Sequence, residues 1–113
     1  MNPKQERRVI AQIIEELTLF LLFHGYTEFR IDFQSDEKQE IYVIDVPHMR
    51  EELIKRIQTQ IDQPREEAFE QTYFELLGEL DSKEDLDLLG IFIDELVVKH
   101  TEDSVTLTLI RKK

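Results

Sequence analysis

Glu16, His24 and Asp45 are the residues whose types could do chemistry together. Two carboxylates and an imidazole can share acid–base work once burial moves their pKa values towards neutrality. Each also has a plain structural reading, with Glu16 on the solvated edge of a helix and Asp45 at the end of a strand. Zinc has no local signature, because His24, His48 and His100 form neither a His-x-x-x-His nor a His-Glu-x-x-His pattern. Asp81, Asp85 and Asp87 offer hard oxygen ligands, but the glycine and terminal glutamate of a calcium loop are missing. They read more simply as a solvated helix face with acids near a helix N-terminus. The chain has no cysteine, which excludes a disulfide scaffold, a Cys-ligated metal site and a thiol nucleophile. No metal and no cofactor is expected.

Periodicity supplies the elements that must position these groups. Ile10, Ile13, Ile14, Leu17, Phe20, Leu21 and His24 recur at the three-and-four spacing of one helix face. Pro3 suits the first turn of that helix and Gly25 its C-terminal cap. Leu19, Leu22 and Phe23 lie off the main stripe, and a helix that is apolar on more than one side needs covering on more than one side. Phe29, Ile31 and Phe33 then alternate with Arg30, Asp32 and Gln34, as in a half-buried strand. A loop over Ser35–Lys38 and a return over Ile41–Ile44 predict a β-hairpin.

Pro47 ends that strand, and Leu53, Ile54, Ile57 and Ile61 predict a second helix over Met49–Asp62. A third helix starts at Pro64, carrying Ala68, Phe69, Tyr73, Leu76 and Leu77 towards the core. Asp81-Ser82 offers the N-cap of a fourth, with Leu86, Leu89, Phe92 and Ile93 as its apolar stripe. Strand chemistry returns over Leu96–Val98 and, after a polar turn at Thr101–Ser104, over Val105, Leu107 and Leu109. Helix, hairpin, helices, hairpin predicts an α+β two-layer sandwich: one domain over 1–113, with about four mostly antiparallel strands and three to four helices on one face.

The 113 residues carry 14 bases and 25 acids, a net charge of −11. A nucleic-acid binder needs a basic surface to neutralise phosphates, and an anionic membrane would repel this chain, so neither is an expected partner. The segment from Arg65 to Asp87 holds nine acids and two bases, −7 of the total, which would suit a basic protein partner. The apolar run Leu17–Phe23 is too short to cross a bilayer and no signal peptide is recognisable, so the cytoplasm is the expected location.

Several of these segments, in order, resemble the Bergerat-type ATPase fold of sensor histidine kinases and anti-sigma-factor kinases. Glu16-Leu17-Thr18-Leu19-Phe20-Leu21-Leu22-Phe23-His24-Gly25 keeps the glutamate, histidine and small residue of that family's Glu-x-x-x-Asn-x-x-x-His helix. Ile44-Asp45-Val46-Pro47-His48-Met49 stands where the family has Asp-x-Gly-x-Gly. Ile93-Asp94-Glu95-Leu96-Val97-Val98 and Val105-Thr106-Leu107-Thr108-Leu109-Ile110-Arg111 are similar to its closing strands. The departures fall on the ATP site. Phe20 replaces the magnesium-ligating asparagine, Pro47 and Met49 replace glycines, and Lys83-Glu84-Asp85 replaces the glycine-rich phosphate lid, where a cradle needs small residues and positive potential. The resemblance implies a retained fold with a vestigial pocket at Glu16, Phe20, His24 and Asp45. The expected function is therefore a non-catalytic binding or regulatory module that works through protein–protein contacts, as a homodimer using Leu19, Leu22 and Phe23. The alternative is a divergent ATP-dependent kinase or small hydrolase using Glu16, His24 and Asp45.

Overall fold

The computed structural model describes residues 2–62 and 86–113. The expected third helix, the Asp81-Ser82 cap and most of the acidic segment lie outside these residues. Chain order is α1 (Pro3–Phe23), β1 (Arg30–Ser35), β2 (Gln39–Pro47), α2 (Glu51–Ile61), α3 (Asp87–Phe92), β3 (Glu95–His100) and β4 (Ser104–Lys112). One antiparallel sheet runs β1-β2-β4-β3, with the helices on one face. This is the expected α+β sandwich. No helix among the described residues is long and apolar enough to cross a membrane.

Both ends of α1 are fixed by short-range chemistry. At the start, the Asn2 side chain accepts from the Gln5 amide at 2.8 Å while Gln5 Oε1 accepts from the Asn2 amide at 3.0 Å, a capping box with Pro3 in the first turn. At the end, Gly25 takes φ +89°, the left-handed conformation that glycine adopts most cheaply. The Gly25 amide then reaches Leu22 O at 3.1 Å and the Tyr26 amide reaches Leu21 O at 3.0 Å, which is a Schellman motif.

The inner face of α1 differs from the expected stripe. Val9, Ile13, Leu17, Phe20 and Leu21 are fully buried, whereas Ile10 and Ile14 are only partly covered. Glu16 is buried with them, at 3% exposure. The reading of Glu16 as a solvated helix edge is therefore wrong. The start of α3 covers the side of α1 on which it stands.

Strand alternation sends Tyr42, Ile44 and Val46 of β2 and Val105, Leu107 and Leu109 of β4 into the core, directly opposite one another in the ladder. The same parity buries Glu40 beside Arg111, whose guanidinium meets the carboxylate at 3.0 Å. Tyr42 donates its hydroxyl to the other Glu40 oxygen at 3.0 Å, and the Arg111 guanidinium sits 5.5 Å from the centroid of the Phe92 ring. Burial, together with the adjacent carboxylate, pushes the Tyr42 phenol far up and keeps it protonated.

Candidate functional site

The three candidate acid–base residues do not converge. Glu16 lies two turns before His24 on α1, about 12 Å along the helix axis at 1.5 Å per residue. Asp45 follows the opposite parity from Ile44 and Val46, so it stands on the outer face of the sheet, away from the helices. There Thr106 donates its hydroxyl to Asp45 at 2.5 Å.

Glu16 has a specific task in the core. The residue before α3 is Leu86, which has no side-chain acceptor to offer the first turn. The amides of Leu88 and Leu89 instead donate to Glu16 Oε1 and Oε2, each at 3.2 Å. These are the two helix N-terminal amides that a capping side chain normally serves. The carboxylate thus caps α3 from more than seventy positions away in sequence. It fastens α3 to α1, while Gly90 brings α3 so close to α2 that a Cβ there would meet Gln60 O at 3.0 Å.

His24 belongs to a second cluster, at the C-terminal end of α1. That end carries the negative pole of the helix and its last carbonyls, yet the last turn holds no basic residue of its own. The cations come from the N-cap and the middle of α2. Arg50 donates from Nη2 to His24 O at 3.2 Å, its amide donates to the Tyr26 hydroxyl at 2.8 Å, and its guanidinium lies 5.5 Å from the Tyr26 ring centroid. Arg56 lies 5.5 Å from the Phe20 ring centroid, and its Nη1 meets His24 Nε2 at 3.3 Å. Phe20, the position of the resembled family's metal ligand, is 1% exposed and packs tilted against the His24 ring at 4.7 Å.

Leu19 is half-buried, whereas Leu22 and Phe23 are 51% and 53% exposed at this same end of α1. Arg50 and Arg56, neither of which had a sequence motif to mark it, are the residues that sequence reading missed. The missing cation in the last turn of α1 was the available signal. A groove of about 340 Å³ continues along α2 past Lys55, Arg56 and Thr59 to Asp87. No group of three or more possible metal ligands occurs among the described residues. His48 and His100 are exposed and stand apart, His48 at the strand-to-helix corner with φ 53° and His100 at the end of β3.

Compared with known proteins, the chain matches no family model, no curated protein and no solved structure.

Proposed function

We propose that the protein is a non-catalytic interaction module whose contact face is the C-terminal end of α1. The observation that carries this reading is the contrast between its two sites. Glu16, the strongest catalytic candidate, is used as the cap of α3, while Leu22 and Phe23 stand exposed beside Arg50 and Arg56. Arg56 is held by Phe20 and His24 and has no carboxylate partner among the described residues, so its fork is oriented before any ligand arrives. An apolar segment of another protein, flanked by carboxylates, matches this combination of aromatic lip and fixed guanidinium. On this reading the chain keeps the outline of the Bergerat-type ATPases it resembles and has given up the nucleotide site, since Phe20 fills the metal-ligand position with core packing.

Thermal scanning with magnesium-ATP tests the non-catalytic half. A working site with Kd of about 10 μM at ~1 mM ligand would add roughly 2.7 kcal/mol, and we expect no nucleotide-specific rise against a sodium sulfate control. Phe23→Glu tests the face, because an exposed substitution leaves the fold intact and should abolish partner capture. A native dimer that becomes monomeric in Phe23→Glu would instead give the face to a second copy of the chain, the homodimer expected from Leu19, Leu22 and Phe23. A saturable ATP response would overturn the module and favour the kinase.

A further inference from the structure

Beyond the α1 face, we infer that a second copy of the chain docks along the free edge of β3, antiparallel and centred on Val97, to give a continuous eight-stranded sheet. The order β1-β2-β4-β3 leaves β3 with one hydrogen-bonded neighbour and one open side among the described residues. The strand, Glu95-Leu96-Val97-Val98-Lys99-His100, has no proline, glycine or bulge to blunt that side, and Val97 is 53% exposed.

Parity and charge together choose the register. Directly opposed residues in an antiparallel pair point to the same face, so a two-fold axis must pass through a residue rather than between two. With the axis at Val97, it meets the partner's Val97 on the outer face. Glu95 then faces the partner's Lys99, and Lys99 faces the partner's Glu95. On the inner face Leu96 meets the partner's Val98. Both charged residues of the strand, Glu95 and Lys99, gain an opposite charge, and every apolar one gains an apolar mate. Lys99 makes no ion pair among the described residues, whereas Glu95 already holds Lys112 at 2.6 Å and has lone pairs left for a second cation.

Moving the axis to Val98 sets Lys99 against the partner's Val97 and loses both charge pairs. Whichever set of β3 amides and carbonyls points outward, the Val97 register pairs it, because both parities have partners along the strand.

The chain lacks cysteine, so single substitutions read the register directly. Opposed Cα atoms lie about 4.5–5.5 Å apart, within the span of a disulfide. Val97→Cys should cross-link under mild oxidation at least ten-fold faster than Lys99→Cys, whose two copies would stand about 13 Å apart by strand rise. Lys99→Glu alone and Glu95→Lys alone should each be monomeric by sedimentation, and an equimolar mixture should restore a dimer, since only the mixed pair opposes unlike charges. Phe23→Glu should leave the Val97→Cys cross-link unchanged, which separates this inference from the α1 contact face. Equal cross-linking rates for the two cysteines, dimers in both charge variants, or a native chain that stays monomeric at ~1 mM would each overturn it.

Discussion

Replacing Glu16 with alanine removes the only described acceptor for the amides of Leu88 and Leu89 and leaves both in the core. Hydrogen bonds to a charged group contribute roughly 1.5–3 kcal/mol each, so two of them predict a loss of about 4 kcal/mol. A chain of 113 residues is stable by roughly 6–17 kcal/mol at the usual value per residue, so the change removes a large fraction of the total. From the typical unfolding entropy per residue, the midpoint should fall by about 15 °C. Glu16→Gln is the more telling variant. Its single oxygen can serve one amide, but its NH2 group then faces the other donor, so we expect a loss of about 2–3 kcal/mol rather than rescue. Urea unfolding gives the energies, and hydrogen exchange should show Leu88 and Leu89 losing protection ahead of the sheet. A glutamine variant as stable as the native chain would refute the capping argument, as would an alanine variant losing under ~1 kcal/mol.

Glu40→Gln or Arg111→Met alone should destabilise by about 3–5 kcal/mol, and the double replacement Glu40→Leu with Arg111→Met should recover most of it, as denaturant midpoints will show. His48→Gly should be neutral to stabilising by up to ~1 kcal/mol in the same assay, because the residue holds φ 53° at an exposed corner. The amides of Lys38 and, second, Gln39 donate to Asp36 and hold its carboxyl below the ordinary 3.8. With the folded value depressed, its contribution is present above the unfolded pKa and is lost as pH falls through the lower folded value. The stability gap between native and Asp36→Ala should therefore be constant near neutrality and close below about pH 4, which acid titration of unfolding will show.

Much of the fold was legible because it is written in local rules. Alternation marked which of Phe29, Ile31 and Phe33 share a face, and Gly25 announced the end of α1 before any tertiary contact was known. Glu16 was not legible. Its partners are two amides in a helix whose N-cap is a leucine, and nothing within four residues of either partner points to the other. Asp45 failed for a related reason, since a motif fixes the order of residues along the chain but only strand parity decides which face each one serves. The same parity that buries Tyr42 and Ile44 buries Glu40, so the alternating pattern would have nominated Glu40 and Arg111 as a pair had the register of β2 with β4 been known. The exposed end of α1 was legible. Leu22 and Phe23 stood out as off-stripe residues, and Phe20, on the stripe, is in the core.

The sheet order also governs how the molecule can assemble from its chain. Each hairpin, β1–β2 and β3–β4, closes over a few residues, but the seam between them joins Gln39–Pro47 to Ser104–Lys112. That seam pairs the strands furthest apart in sequence, and the entropy of closing so long a stretch of chain opposes it before the pairing rewards it. Until it forms, β2 and β4 both present bare inner edges, each complementary to the other and indifferent to which chain supplies it. At high concentration during refolding, the N-terminal hairpin of one molecule can close on the C-terminal hairpin of another, giving an exchanged dimer with every native contact in place. Refolding yield should therefore fall steeply as protein concentration rises.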